Sequence, residues 1–431
     1  ERHLYPRARG GLVDASVEAF RARLQEPWLV ERQDEFMALF EQLVANFSPY
    51  RSANLISEHP SLAYLANAFA SIAVQAPTFL ANPDWREPER QLLRGLDPAG
   101  ASPAYAGHIM IATGGTGGRI KFAMHTWETL CAAVAGYAEF FKTPVINGWC
   151  TLPLYHVSGF MQAVRSFVTG GRLVFCDYRE LWEYPELDRS TYHISLVPTQ
   201  LRRILAKPDG ADWLRGFGLV LIGGAGMPDD LAAQVRDTGP TLSCSYGMTE
   251  TAAVVAAQTP EDFATGQSLS ARLLPHASAQ IVDREIVLSG KSLFRGYYPD
   301  EPQEIAQYRT GDEGVLDAEG RLSVTGRRDR FINTGGEKVD PRLVEEAIRG
   351  VLPEAEAFVC GEADPDWGQC VVALLASASL EELGFVREKL ASKLPAYMQP
   401  KRWLLVDALP LKSNGKPDHT RLSQMLAEAK P

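Results

Sequence analysis

The chain has 431 residues, 45% hydrophobic and 22% charged, with 43 Lys and Arg against 53 Asp and Glu for a formal net charge of −10. That length carries two or more domains at roughly 100–200 residues each, and the acid balance points away from a nucleic-acid binder, whose footprint is a basic surface. The six cysteines form no CxxC pair and stand near no histidine at zinc-site spacing, so no zinc module is expected. Apolar settings such as Val-Phe-Cys176 and Phe-Val-Cys360 suggest buried thiols in a reducing compartment. No apolar run approaches the ~20 residues of a membrane span, and Glu1-Arg-His-Leu4 has no signal-peptide core. The cytoplasm is the expected location.

In chain order, residues 17–47 place apolar side chains at helical spacing and residues 55–80 are rich in Ala and Leu, which predicts helices through both. A loop rich in Pro, Asp and Arg is expected over 82–103. The run His108–Thr113 reads as a strand, followed by a glycine loop and then a helix over about 127–141. Residues 159–169 (helix), 172–176 (strand), 194–197 (strand), 199–206 (helix), 219–222 (strand), 228–236 (helix) and 241–245 (strand) continue the alternation. Alternating strands and helices imply a parallel sheet with helices on its faces. After about 275 the pattern turns to short β runs, with Asp317-Ala-Glu-Gly320 as a hairpin turn. From Pro341 a tail reads helix, strand, strand, helix, strand. The expected fold is α/β: a large N-terminal domain with a mainly parallel sheet and a β-rich subregion, 1–328, followed by a small α+β domain, 329–431.

The strongest local signal is Thr113-Gly-Gly-Thr-Gly-Gly-Arg-Ile-Lys121. Closely spaced glycines let backbone N–H groups converge on one anion. Thr113 and Thr116 add hydroxyls, and Lys121 adds a mobile cation. The loop suits a polyphosphate but lacks the GxxxxGK[ST] spacing, which disfavours a P-loop NTPase. A second loop, Gly223-Gly-Ala-Gly-Met227, lacks the third glycine of a dinucleotide fingerprint.

Four further segments follow in order: Ser245-Tyr-Gly-Met-Thr-Glu250, Tyr308-Arg-Thr-Gly-Asp312, Gly326-Arg-Arg-Asp-Arg-Phe-Ile-Asn-Thr-Gly-Gly-Glu-Lys338 and Ser413-Asn-Gly-Lys416. With the glycine loop they resemble the signature motifs of the adenylate-forming superfamily: acyl-CoA synthetases, nonribosomal adenylation domains and luciferase. The resemblance implies ATP, Mg²⁺ and coenzyme A as cofactors, a small carboxylic acid as substrate, and a mobile C-terminal domain. It implies ATP contacts at Thr113, Gly115, Thr116, Gly118, Lys121, Gly224, Ala225, Tyr246, Gly247, Asp312 and Arg327. Glu250 is a hard oxygen ligand for Mg²⁺, with Thr249 beside it to meet a phosphate. Lys416 would bridge the reacting carboxylate and the α-phosphate, and Asp329 would be the hinge. Gly335, Gly336, Glu337 and Trp367 would face the thiol. Gly114, Gly117 and Ile120 depart from the family's phosphate loop, in which hydroxyl residues and a proline stand at those positions.

Pro153-Leu-Tyr-His-Val-Ser-Gly159 resembles the superfamily's acid-pocket wall, with His156 meeting the reacting carboxylate and Ser158, Gly159 and Gly223 lining the pocket. His-Val-Ser-Gly followed by Arg165 resembles the o-succinylbenzoate–CoA ligases of menaquinone and phylloquinone synthesis. Arg165 interrupts the apolar stretch 160–168. A buried arginine there needs a carboxylate, which a diacid has to offer; a solvent-facing arginine, or one paired with a structural acid, is the alternative. A ligase for another aryl or short acyl acid, a carrier-protein loader and a non-catalytic nucleotide binder stay open, as does homo-oligomerisation.

Overall fold

The computed structural model describes residues 14–47, 53–85, 87–113, 120–182, 187–266, 270–327, 331–334, 337–364, 368–376, 378–412 and 417–429. By internal contacts the chain divides into two compact units. One comprises Glu1–Gln280, Val287–Tyr308 and Leu316–Ser323; the other comprises Ile281–Ile286, Arg309–Val315 and Val324–Pro431. The expected boundary at 328/329 lies outside the described residues.

The first unit opens with the helices Val17–Leu24 and Gln33–Asn46. Ser16 caps the first by accepting from the Ala19 N–H at 3.2 Å, satisfying one of the amides a helix start leaves unpaired. Their apolar faces bury Phe20, Phe36 and Phe40 completely, and each buried phenylalanine contributes about 1.5–3 kcal/mol relative to exposure. Phe20 packs 4.8 Å from Phe167, and Trp28 lies 4.7 Å from Phe69. Arg23 donates to the Phe167 and Gly171 carbonyls at 2.8 and 2.6 Å, fastening these helices to the end of the helix Val157–Val168.

Residues 55–80 are not one helical region. The helix Leu62–Ala73 is flanked by the strands Asn54–Ile56 and Thr78–Leu80, which pair in parallel with each other. Three-residue strands carry too few side chains to show a period of two. The expected loop 82–103 contains the helix Glu87–Leu96.

Two sheets build the rest of the unit. The first runs in the order Asn54–Ile56, Thr78–Leu80, His108–Thr113, Lys121–Thr126, Tyr297–Tyr298. The second runs Arg272–Leu273, Ala253–Ala257, Leu242–Met248, Leu219–Ile222, Tyr192–Leu196, Asn147–Cys150, Leu173–Phe175. Its last five strands are mutually parallel, as the βαβ rhythm predicts. The helices Trp127–Phe140 and Val157–Val168 carry long buried faces.

The hairpin around Asp317-Ala-Glu-Gly320 joins Tyr308–Leu316 to Leu322–Arg327, with Asp317 N–H on the Arg321 carbonyl and Gly320 N–H on that of Asp317, both at 3.0 Å. In the second unit the helices Pro341–Arg349 and Leu380–Lys393 cover one face of a sheet centred on Gly368–Ala376, burying Val344, Ile348, Val386 and Leu390. The helix His419–Glu428, not expected from the sequence, packs Leu422 and Leu426 among Phe358, Val372 and Leu374 of a second core cluster.

Candidate active site

Strand His108–Thr113 pairs antiparallel with Lys121–Thr126, and Thr113 stands directly opposite Lys121. The residues on either side of the glycine loop are therefore paired strands, and the helix expected after it is preceded by a strand. Phe122 and Met124 lie on one face of this strand and Ala123 and His125 on the other, and all four are fully buried. Gly115, Thr116 and Gly118 lie outside the described residues. Thr113 is half-buried and Lys121 exposed at the ends of these strands.

Most of the other expected residues of this unit follow the carboxyl ends of the parallel strands, where open α/β sheets bind ligands; Arg165 lies further along the helix Val157–Val168. Gly223, Gly224 and Ala225 follow Leu219–Ile222. Gly224 adopts φ +82°, a left-handed conformation that favours glycine, and both Gly224 and Ala225 are exposed. Ser245 donates its hydroxyl to the Ile222 carbonyl at 3.0 Å, tying this turn to the neighbouring strand, which runs on through Tyr246 and Gly247. His156 is the N-cap of Val157–Val168 and packs 4.7 Å from the Tyr155 ring. Ser158 is half-buried in the first turn. At Gly159 a Cβ would lie 2.2 Å from the Pro153 carbonyl oxygen, so only glycine lets the helix start so close to that backbone.

The two sheets meet at Thr249-Glu250. This turn links Leu242–Met248 to the antiparallel Ala253–Ala257. From the first sheet, fully buried His125 holds the Thr249 carbonyl through Nε2 at 2.7 Å and meets the Thr129 hydroxyl through Nδ1 at 3.0 Å. A carbonyl only accepts, so Nε2 carries the proton. Burial pushes the His125 imidazole down to about 4. Phe294 N–H donates to the Glu250 carbonyl at 2.9 Å. Tyr297, across the strand from Ala123, donates its hydroxyl to Glu250 Oε1 at 2.7 Å and places its ring 4.9 Å from the Lys121 ammonium. Burial, then the Glu250 charge, raises the Tyr297 phenol well above its usual range. Glu250 is 9% exposed. One carboxylate with an oxygen left over fits Mg²⁺, which takes one or two carboxylates and completes its shell with water and substrate phosphates. Among the described residues no cluster of three or more His, Cys, Asp or Glu could hold a metal without such a substrate.

Arg165 is only 5% exposed, which removes the solvent-facing alternative. No carboxylate among the described residues pairs with it. Its Nε donates to the Met161 carbonyl at 3.0 Å and its guanidinium lies 4.3 Å from the Tyr137 ring centre. The Tyr137 hydroxyl in turn meets His193 Nδ1 at 3.1 Å.

In the second unit Asp312 is 5% exposed. Its N–H donates to the Thr310 hydroxyl at 3.0 Å, and the Gly311 N–H donates to Glu285 Oε1 at 2.9 Å. Arg327 ends the strand Leu322–Arg327, and Glu337 begins Glu337–Val339. Asp329, Gly335, Gly336, Trp367 and Lys416 lie outside the described residues. Sequence reasoning missed Tyr297, His125 and Tyr137. Nothing local marks Tyr297, whose two-residue strand shows no pattern; His125 carries no motif, and Tyr137 is signalled only by its helical spacing within Trp127–Phe140.

An enzyme that handles a nucleotide at the carboxyl edge of a parallel sheet is the class this arrangement fits. The model of the AMP-binding enzyme family matches residues 58–298, and that of the AMP-binding enzyme C-terminal domain matches 343–416. The chain belongs to the AMP-binding enzyme family, and its fold is that of the adenylate-forming enzymes. It is 33% identical over 326 residues to the 2-succinylbenzoate–CoA ligase of Salmonella typhimurium, covering 74% of this chain and 69% of that one. To the Enterococcus faecalis enzyme of the same name it is 30% identical over 323 residues, covering 70% and 66%. The chain thus spans about two thirds of the length of these relatives. The solved Bacillus subtilis o-succinylbenzoate CoA synthetase, in complex with its acyl-adenylate intermediate, shares the fold with a TM-score of 0.80 at 21% identity, covering 94% of this chain and 97% of that one.

Proposed function

We propose that the chain is an AMP-forming acid–CoA ligase acting on 2-succinylbenzoate or a closely similar aryl diacid. Arg165 carries this reading. A buried guanidinium without a carboxylate is costly unless an anion arrives to pair with it. The Nε bond to the Met161 carbonyl turns the side chain back toward the helix start, so the cation sits near the level of Met161. That level is five residues beyond His156, about 7.5 Å along the helix axis. A diacid with its reacting carboxylate at His156 and its second carboxylate at Arg165 spans that interval.

In the first step the acid carboxylate attacks the α-phosphorus of ATP and pyrophosphate leaves, giving an acyl-adenylate. Negative charge spreads over phosphate oxygens, so fixed donors and cations dominate the catalysis. Lys121 and the glycine loop hold the β- and γ-phosphates, Asp312 and Arg327 the ribose, Tyr246 the adenine, and Lys416 the attacking and α-phosphate oxygens. When bound by Glu250, Mg²⁺ supplies charge neutralisation at those phosphates. In the second step the C-terminal residues turn about Asp329 and present Gly335, Gly336, Glu337 and Trp367 to the CoA thiol. The thiol sulfur attacks the acyl carbon, its proton passes to solvent, and AMP leaves as the acyl–phosphate bond breaks. Among the described residues no helix is long and apolar enough to cross a membrane. None of the six cysteines is in a disulfide, which fits a cytoplasmic enzyme.

The test is pyrophosphate exchange across a panel of acids. 2-Succinylbenzoate should support exchange at least tenfold better, in kcat/KM, than benzoate, succinate or long-chain fatty acids. Equal exchange with an aryl monoacid removes the diacid from the reading.

A further inference from the structure

We propose that Tyr297 is a positioning residue that holds the metal-binding carboxylate and the phosphate-binding lysine in register before the nucleotide arrives. This rests on the roles given above to Glu250 and Lys121.

The two residues come from different sheets, and Tyr297 touches both. Its hydroxyl reaches Glu250 Oε1 at 2.7 Å, and its ring lies 4.9 Å from the Lys121 ammonium. Its own place is fixed by strand pairing with Ala123 and by Phe294, whose ring is 4.9 Å away. The Tyr308 hydroxyl lies 3.0 Å from that of Tyr297. Tyr297 has one proton and gives it to Glu250, so Tyr308 is the donor in that pair. The chain therefore runs Tyr308, Tyr297, Glu250, with the Tyr297 hydroxyl strengthened as a donor by that of Tyr308.

An ionised carboxylate accepts at about four lone-pair positions. The tyrosine occupies one on Oε1, stabilises the charge in a site that is 9% exposed and fixes the plane of the group. The remaining positions stay available to a hard cation. The ring meanwhile holds a long, flexible lysine by the cation–π attraction. Both groups are thus ordered in advance, which lowers the ordering cost of binding Mg²⁺ and ATP.

The two halves of the role separate by mutation. Tyr297→Phe keeps the ring and loses the hydroxyl; Tyr297→Leu loses both. Mn²⁺, a paramagnetic ion with a similar preference for oxygen ligands, serves as the probe. Its retention by the full-length protein in the presence of ATP is read by electron paramagnetic resonance, and metal-free ATP binding by calorimetry in chelator. Tyr297→Phe should weaken Mn²⁺ retention about tenfold or more, the scale of a lost hydrogen bond to a charged group, while metal-free ATP affinity stays within twofold. Tyr297→Leu should weaken both. Glu250→Gln is the reference and should weaken Mn²⁺ retention at least as much as Tyr297→Phe. If Glu250→Gln loses the metal while Tyr297→Phe holds it like the wild type, the positioning role is wrong and the site stands. If Glu250→Gln holds the metal normally, the metal assignment falls and the proposal with it. A uniform loss of Mn²⁺ and metal-free ATP binding in Tyr297→Phe, with a lowered melting temperature, marks an ordinary core residue and overturns the proposal.

Discussion

The Arg165 guanidinium lies 4.3 Å from the centre of the Tyr137 ring, inside the protein and with no acidic partner among the described residues. An aromatic face offsets part of the cost of a buried cation, by ~2 kcal/mol when desolvated, and leaves the edge of the guanidinium for a bidentate carboxylate. Arg165→Ala should raise KM for the diacid more than tenfold, about 1.4 kcal/mol or more, and leave KM for ATP nearly unchanged. Steady-state kinetics with each substrate varied in turn checks this. Equal losses for both substrates would assign Arg165 to packing.

Three histidines make stability depend on pH. Burial pushes His125, His193 and His276 each down to about 4, against about 6.5 in an unfolded chain. Between those values the unfolded state binds protons that the folded state refuses. Stability is therefore full above about pH 6.5 and is lost as pH falls toward 4, by up to about 1.4 kcal/mol per pH unit for each histidine. Urea unfolding at pH 7.5, 6 and 5 should give a falling series. His125→Gln should flatten it by about one proton's worth. A free energy of unfolding that is level from pH 7.5 to 5 would show that these imidazoles are solvated.

Much of this arrangement is legible in the sequence, and the reasons for the misses are specific. The strand Leu219–Ile222 emerges as read, because four consecutive apolar residues between a helix and a glycine turn admit little else. His108–Thr113 does so for the same reason. The sequence sets the glycine loop directly before a helix and hides the strand between them, because Lys121–Thr126 mixes Lys, His and Thr with apolar residues and its partner Tyr297–Tyr298 lies more than 170 residues further on. Tyr297 was invisible for that reason: nothing local marks a two-residue strand, and its value comes from what strand pairing sets beside it. Glu250 was found from its motif, but the turn that presents it is held by His125, a residue with no motif of its own. The burial of Arg165 followed from its apolar neighbours, while the Tyr137 ring beneath it depends on how two helices pack.

Lys416 separates the two half-reactions. A cation aimed at the charge developing on the α-phosphate matters only in adenylation, where its loss costs roughly 10²–10³ in rate. Lys416→Ala should nearly abolish pyrophosphate exchange, yet convert preformed acyl-adenylate and CoA to thioester at close to the wild-type rate. Lys416→Arg should recover little, since a forked guanidinium does not replace a compact ammonium. Normal exchange by a folded Lys416→Ala protein would make this an ordinary surface lysine.

The central claim is that this chain joins an aryl diacid to coenzyme A through an adenylate. The most direct measurement incubates the purified full-length protein with ATP, Mg²⁺, coenzyme A and 2-succinylbenzoate, and follows thioester and AMP together by liquid chromatography and mass spectrometry. The expected result is one 2-succinylbenzoyl thioester per AMP, dependent on all four components and reduced by Arg165→Ala. ADP in place of AMP, or no thioester from this acid while an aryl monoacid yields one readily, would contradict the account.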